Sequence, residues 1–360
     1  MKMENLKGKL MFDQLTPSDL EDYNRVFFWE HFLGKKLSSK IFEKIIKRSS
    51  RQIEEKLKKQ GEGKFITLKR EKGLGPEEVR ERYIKKGIPV VLEGGGKNWK
   101  ACRQLTPEFI SEVYGNDKAL LLEPKGAPEN LSGKEFEYAS LKDVVKNMKE
   151  GGKKYTRFHT LFEDHPELRE ELDFHVLEKF WPVNSTTRYQ LFMGGKDTFT
   201  YLHNGLNSNV FVQLYGEKEW FLYPMSAMPA LKPECNKSPY KGCEFNSKKP
   251  DFTKFPLMKY INTYYARLKP GDILFNPPLI WHFVSNLSDS VALGYRWIDL
   301  SQAYKKSKLL TLLHMFNTRP NIFWTILNQK ADFNKFLAYA NGSYRSVKQA
   351  EKIDRSKDRE

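Results

Sequence analysis

Two histidines occupy positions where an imidazole ring could bind a metal. His203 ends a strand predicted over residues 198–202, and His282 begins another strand after the proline-rich stretch 276–281. Imidazole is the commonest protein ligand for first-row transition metals. Taken singly, either residue is more typical of a packed core or surface histidine. Because the mouth of a β-barrel can bring the ends of distant strands together, the two histidines could meet at one site.

A lysine follows the turn between two of the predicted strands. Lys218 comes directly after Gly216-Glu217, a dipeptide typical of a hairpin turn. On the residues alone, an exposed lysine is the preferred interpretation. If the side chain is buried instead, its ammonium needs an anion such as a dicarboxylate.

The hydrophobic pattern between residues 186 and 300 repeats every second residue. Glycine- and proline-containing turns at Gly194-Gly195 and Pro270-Gly271 separate short segments, and many short strands with regular turns predict a sandwich or barrel. Residues 224–262 form a long polar insertion, which is typical of a lid or rim. The predicted strands cover residues 189–193, 198–202, 210–215, 218–223, 264–268, 272–276, 282–285 and 291–298.

The flanking segments are predicted to be mainly helical. We divide the chain into an N-terminal helical segment over 1–75, a domain over 76–300 with its barrel core at 185–300, C-terminal helices over 301–345 and a charged tail over 346–360. Ser18 is the predicted cap of the first helix. Further segments with helical spacing lie at 77–86, 106–113, 141–148 and 168–180, and one strand is predicted at 88–92.

Composition narrows the class of protein. Of 360 residues, 39% are hydrophobic and 14% aromatic, which excludes a disordered chain. The net charge of +16 comes from lysines spread along the chain, so it gives no clear nucleic-acid or membrane signal and only hints at an acidic substrate. Three cysteines without a CxxC pair argue against a disulfide scaffold or structural zinc. Without a secretory signal or a long apolar run, a cytoplasmic protein is expected.

The motifs, taken in order, resemble a known family. The segment from Thr200 to Pro224, followed by Pro270-Gly271-Asp272 and Trp281-His282, resembles the JmjC-type cupin oxygenases, which depend on iron(II) and 2-oxoglutarate, and is most similar to their asparaginyl-hydroxylase-like members. The similarity extends over roughly residues 78–299. It implies a mainly β fold with flanking helices, built on a double-stranded β-helix (jelly-roll or cupin) barrel. In similar proteins a C-terminal helical pair forms a homodimer; here residues 301–345 could do so or only cap the barrel.

The resemblance also implies roles for individual residues. His203 and His282 match the two metal-binding histidines of the family. Lys218 matches the lysine that pairs with the distal carboxylate of 2-oxoglutarate, and Thr200 matches the hydroxyl that assists it. Asn209 matches a polar residue beside the metal.

Four more residues lie near the predicted pocket. Tyr295 and Arg296 belong to the last predicted strand, where their side chains could face the pocket. Arg157 and His159 precede the barrel and could reach a substrate, but a structural salt bridge is the preferred interpretation for them.

One position departs from the family pattern. The family has Asp or Glu two residues after the first histidine, whereas this chain has Gly205, which carries no ligand atom. A halide could fill the position, as in the iron-dependent halogenases of the wider superfamily. Alternatively, Asn204, Asn207, water or a substrate carboxylate could complete a hydroxylase site, or the barrel could be an inactive binding module.

The halide alternative is preferred, because those halogenases have Gly or Ala at this position, and the presence of the other matched site residues argues against an inactive module. The predicted function is therefore an iron(II)- and 2-oxoglutarate-dependent radical enzyme that acts on an unactivated C–H bond and uses chloride. Its expected substrate is an acidic small molecule or peptide.

Overall fold

The computed structural model describes residues 13–122, 136–235 and 240–318. Its strands are β1 Phe65–Thr67, β2 Arg70–Glu71, β3 Val90–Leu92, β4 Lys118–Leu122, β5 Phe136–Ser140, β6 Tyr155–His159, β7 Arg188–Gly194, β8 Phe199–Asn204, β9 Asn207–Tyr215, β10 Lys218–Tyr223, β11 Lys241–Gly242, β12 Thr263–Leu268, β13 Ile273–Asn276, β14 Trp281–Asn286 and β15 Ser290–Ile298.

The helices surround these strands. They are α1 Glu21–Leu33, α2 Lys35–Ile41, α3 Glu43–Gln60, α4 Pro76–Val79, α5 Lys100–Gln104, α6 Pro107–Val113, α7 Leu141–Lys149, α8 Leu161–Asp164, α9 Glu167–Glu171, α10 His175–Phe180, α11 Met228–Leu231, α12 Leu300–Lys306 and α13 Lys308–Phe316.

Eight strands form the predicted jelly roll. In the first sheet the order is β12-β10-β14-β8, and in the second it is β13-β9-β15-β7. These are the eight segments in which apolar residues recur at every second position, so the mainly β, cupin-like fold class is confirmed. Both hydrogen-bonded strand orders are open at their edges, so the jelly roll consists of two facing sheets and not one closed ring.

The alternation sends neighbouring residues of one strand to opposite faces of the sheet. On β14, Trp281 and Phe283 pack outward against the N-terminal helices and the 224–262 insertion. The alternate residues His282 and Val284 face the space between the sheets. A second apolar cluster covers the outer face of the other sheet, where α4 to α10 pack on β7, β9 and β15. Both sheets are therefore covered on the outside, and a polar pocket is left between them.

Several elements differ from the sequence prediction. Strands β4, β5 and β6 extend the second sheet beyond β7 and were not predicted. The predicted helix over 168–180 is interrupted at Asp173, which takes a left-handed backbone conformation with φ 61°. Helix α1 begins after Leu20 without a side-chain cap, so the capping role predicted for Ser18 was wrong.

The C-terminal prediction can be compared only in part. Helices α12 and α13 lie in the predicted segment 301–345, while residues 319–345 and the predicted tail 346–360 fall outside the described residues. Among the described helices, none has the length and apolarity needed to cross a bilayer.

Candidate metal and co-substrate site

The two candidate metal ligands lie next to each other. His203 on β8 is directly opposite His282 on β14 in the antiparallel register. Their ring centroids are 4.2 Å apart, and the ring of Trp220 stacks on His282 at 5.5 Å. Both histidines line the same pocket between the sheets. The structure therefore brings together two residues that are distant in the sequence.

Backbone carbonyls fix the orientation of both imidazole rings. Nδ1 of His203 lies 2.8 Å from the carbonyl oxygen of Tyr201, and Nδ1 of His282 lies 2.9 Å from that of Ile280. Because a carbonyl only accepts, each Nδ1 carries the proton and each Nε2 keeps a free lone pair. Such bonds are typical of metal-binding histidines, whose other nitrogen is the ligand.

Burial keeps these rings neutral. It lowers the pKa of His282 to about 4 and, with added repulsion from His282, lowers the pKa of His203 well below its usual range. A metal binds the neutral imidazole, so at pH 7 neither ring has to lose a proton first.

A β-bulge turns Thr200 toward the same pocket as His203. His282 pairs with His203, and Val284 pairs with Thr200, so β8 has one more residue than β14 between these pairs. Without the bulge, residues three positions apart on one strand would face opposite ways. With it, the hydroxyl of Thr200 and the ring of His203 both line the pocket.

Lys218 is buried, not exposed. Its side chain lines the pocket from β10, and its Nζ donates to Oδ1 of Asn286 on the neighbouring strand. The amide nitrogen of Asn286 is held by Thr198 Oγ1 at 2.8 Å and by the carbonyl oxygens of Gly194 and Gly195. These three acceptors fix the amide so that its oxygen points at the lysine. The sequence analysis did not select Asn286, because this contact depends on register across the sheet.

The buried ammonium should make the binding of a dicarboxylate, such as the 2-oxoglutarate that the family resemblance implies, depend on pH. Burial lowers the pKa of Lys218 to about 7. A bound dicarboxylate stabilises the charged form and raises that pKa, so binding above pH 7 should take up as much as about one proton. We expect the affinity to fall by up to about tenfold per pH unit above 7, and no uptake at pH 6. Calorimetry in two buffers that differ in ionisation enthalpy measures the uptake; equal uptake at pH 6 and pH 8 would contradict it.

The second sheet supplies the opposite wall of the pocket. Arg157 and Phe158 on β6, Asn209 on β9 and Arg296 on β15 all line it. Buried within this wall, Oδ1 of Asn209 has no hydrogen-bond partner among the described residues. Among the described lining residues, none is an aspartate or a glutamate. The pocket thus carries two guanidiniums and one amine without a lining carboxylate.

The remaining sequence candidates separate into two groups. Arg157 and Arg296 face the pocket. Tyr295 does not, since its hydroxyl donates to the carbonyl oxygen of Trp181 at 2.6 Å. The ring of His159 is held between backbone groups of Lys118 and Leu161, away from the pocket.

Gly205 immediately follows β8, and its carbonyl oxygen accepts a hydrogen bond from Leu279 N at 2.8 Å. It is not among the described glycines with positive φ, so its backbone suits other residues too. Asn204 is fully buried and Asn207 half-buried, but neither is among the described residues that line the pocket. In the described part of the chain, no cluster of three His, Cys, Asp or Glu residues forms a complete metal site.

The donor set fits a metal that keeps open coordination positions. Two oriented imidazoles supply the protein ligands, and the pocket has space for a bidentate co-substrate, with a volume of about 600 Å³ including its open mouth. The unpartnered Asn209 oxygen and the buried Lys218 amine are the kinds of group that a polar occupant satisfies.

Comparison with known proteins identifies the class. Residues 76–303 match the family model of the cupin-like domain. The chain therefore belongs to the cupin-like domain family, and its resemblance to the JmjC-type cupin oxygenases is confirmed by the relatives below.

Three curated relatives show the range of similarity. The chain is 25% identical to lysine-specific demethylase 8 of Xenopus tropicalis over 233 residues, which covers 61% of this chain and 50% of that protein. It is 30% identical to HSPB1-associated protein 1 of Rattus norvegicus over 153 residues, or 41% and 31% of the two chains. With lysine-specific demethylase JMJ30 of Arabidopsis thaliana it shares 24% identity over 246 residues, or 66% and 56%. The chain thus spans about half the length of these relatives or less.

Proposed function

We propose that this protein is an iron(II)- and 2-oxoglutarate-dependent oxygenase that acts on an unactivated C–H bond. One observation carries the proposal: two imidazoles with free Nε2 atoms share a pocket with the buried amine of Lys218. A metal-binding pair alone would suit many functions. A cation placed further along the same sheet, without a carboxylate partner in the lining, adds a site for a dicarboxylate co-substrate.

The residues divide the work between them. His203 and His282 would hold the metal, while Lys218 and Thr200 would bind the distal carboxylate of 2-oxoglutarate. Asn286 holds the lysine side chain in place for that contact. When bound, the metal would activate dioxygen, which is the oxidant, and 2-oxoglutarate would supply two of the four electrons that dioxygen accepts, the other two coming from the C–H bond. The surrounding aromatic side chains, Phe192 and Phe211 among them, keep water from the substrate carbon.

We further propose that an exogenous anion occupies the position that Gly205 leaves open, and that chloride there directs the reaction to chlorination. The charge of the pocket supports this, because Lys218 and Arg296 face it and none of its described lining residues is an aspartate or a glutamate. Two alternatives remain: hydroxylation with water or a substrate carboxylate as the third ligand, and a binding module without activity. The substrate class we propose is an acidic small molecule or peptide.

Anaerobic reconstitution separates these alternatives. Iron(II) and 2-oxoglutarate should together produce a visible charge-transfer band, and millimolar chloride should shift it if a halide binds the metal. If chloride does not shift the band, the oxygenase proposal stands and the halogenase proposal is wrong. If no band forms although both components are in excess, the protein is a binding module and the proposal is wrong.

Variants of the two histidines test the origin of the band. His203→Ala and His282→Ala should each remove it and lower the bound iron. His165→Ala is the matched control, because His165 pairs with Asp117 at 2.7 Å and does not line the pocket. If iron occupancy in both site variants equals that of the control, the metal binds elsewhere.

A further inference from the structure

Arg296 is a buried cation held by neutral groups. Its side chain is 8% exposed, with Nη1 2.9 Å from Oε1 of Gln190 and Nη2 3.1 Å from the hydroxyl of Tyr240. Its Nε–H has no hydrogen-bond partner among the described residues. Gln190 and Tyr240 orient the guanidinium but do not neutralise it. Burying a charge in this way is costly unless an anion joins it.

Arg157 lies on the same wall, beside an aromatic ring that both guanidiniums contact. The guanidinium carbon of Arg157 is 5.3 Å from the centroid of the Phe158 ring, and that of Arg296 is 4.8 Å from it. The Phe158 ring also stacks on the ring of Tyr240, and the two centroids are 5.5 Å apart. Cation–π contacts of this kind fix the plane of a guanidinium.

The backbone at this place is strained in a way that serves the pocket. Phe158 takes φ 57°, a left-handed conformation that is rare for a bulky residue. Thr156 pairs with Met193 and His159 pairs with Leu191, so β6 has one residue more than β7 between these pairs. The bulge lets both Arg157 and Phe158 line the pocket, although neighbouring residues of a regular strand face opposite ways. Strain of this kind persists where a site requires it.

The two arginines are separate from the lysine. Lys218 lies on the first sheet, four residues along β10 from Leu222, the residue opposite His282, which is ~13 Å at ~3.4 Å per residue. Arg157 and Arg296 lie on the second sheet, close enough to His203 for their charges to act on its ring. One end of the pocket therefore holds the lysine, and the wall near the histidines holds the guanidinium pair.

We infer that Arg296, on the wall that it shares with Arg157, binds an oxyanion of the substrate, a carboxylate or a phosphate, and so places its neighbouring C–H bond near the metal position. The inference rests on the proposed function for the meaning of "substrate", but the anion site itself does not depend on it. Planar guanidiniums suit these oxyanions because they offer paired N–H donors. The substrate class is then an acid whose charged group lies close to the carbon that reacts.

The test uses the full chain loaded with manganese(II) and 2-oxoglutarate, and titrates acetate and methylphosphonate by calorimetry. Wild type should bind at least one of the two, and the preferred one distinguishes a carboxylate from a phosphate site. Arg296→Met keeps much of the side-chain volume and should weaken that binding by roughly thirtyfold or more. Arg296→Lys keeps the charge and should lose less, which guards against a variant that simply misfolds.

Arg188→Met is the matched control. Arg188 lies opposite Arg296 on β7 but does not line the pocket. Its replacement should leave oxyanion binding unchanged, and Arg296→Met should leave the affinity for 2-oxoglutarate unchanged. The inference is overturned if wild type binds neither probe, if Arg188→Met weakens binding equally, or if Arg296→Met weakens 2-oxoglutarate binding instead. If 2-oxoglutarate does not bind to wild type while oxyanion binding still needs Arg296, the proposed oxygenase fails but the anion site stands.

Discussion

Replacing Lys218 with methionine is expected to remove 2-oxoglutarate binding. The amine is buried, its described hydrogen bond goes to the neutral oxygen of Asn286, and no described carboxylate lines the pocket. A bound dicarboxylate would be left without Lys218, the one cation that the described lining residues place at that end of the pocket. Removing one partner of a desolvated charge pair costs about 3–5 kcal/mol, so the dissociation constant should rise by more than about a hundredfold.

Calorimetry on the metal-loaded protein measures this loss. Methionine matches the unbranched shape of lysine, so the circular dichroism spectrum and the unfolding midpoint should remain close to those of wild type. Lys248→Met provides the control, since Lys248 lies outside the pocket and pairs with Glu219 at 2.9 Å. An unchanged affinity in Lys218→Met would remove the lysine from the co-substrate site and favour a binding module.

Gly205→Asp is expected to give the metal site a third protein ligand. Residues i and i+2 of a strand share a face, so a side chain at 205 should point to the same side as His203 if the strand direction continues. The backbone of Gly205 is not in the positive-φ region, so aspartate meets no left-handed-backbone penalty there. A carboxylate would add a third, anionic ligand, and we expect metal affinity to rise by roughly tenfold or more. Because the new ligand takes the same position and charge, the response to chloride should disappear.

Two further substitutions at this position separate the effect of the new charge from the effect of side-chain size. Gly205→Asn has the shape of aspartate without its charge, and Gly205→Ala tests only the space at the turn. If aspartate, asparagine and alanine all lower metal occupancy alike, the turn does not tolerate a side chain and the site is not a vacant ligand position. Product mass spectrometry, with and without chloride, then reports whether aspartate moves the reaction to hydroxylation or stops it, since about 1 Å of misplacement costs about a hundredfold in rate.

The sequence predicted the eight jelly-roll strands well, because each has an apolar face and a glycine or proline turn. Strand β6 was not predicted, because Arg157 and Phe158 break the alternation that identifies a strand. A phenylalanine with positive φ cannot be recognised from the sequence, because the contacts that offset its conformational strain come from the tertiary structure around it. For Arg157 the sequence favoured a structural salt bridge, and the structure adds that its side chain lines the pocket.

The residues that line the pocket were predictable from the sequence only where they belong to a recognisable motif. The motif resemblance selected His203, Lys218 and Thr200, and all of them line the pocket. Asn286 and Tyr240 were missed, because their contacts with Lys218 and Arg296 join residues far apart in the chain. Such pairings depend on strand register and on where an insertion folds back, and neither can be read from local spacing.

The insertion over 224–262 has a consequence for how substrate preference can change. Its short strand β11 adds to the free edge of β8 at His203, and this addition brings Tyr240 against Arg296. The two histidines, Thr200 and Lys218 belong to one sheet, whereas Asn209 and the two arginines belong to the other sheet and Tyr240 to the insertion. One part of the molecule can therefore diversify while the other stays constant. If the proposed function holds, exchanging residues 224–262 and 155–158 between members of the family should change which substrate is bound.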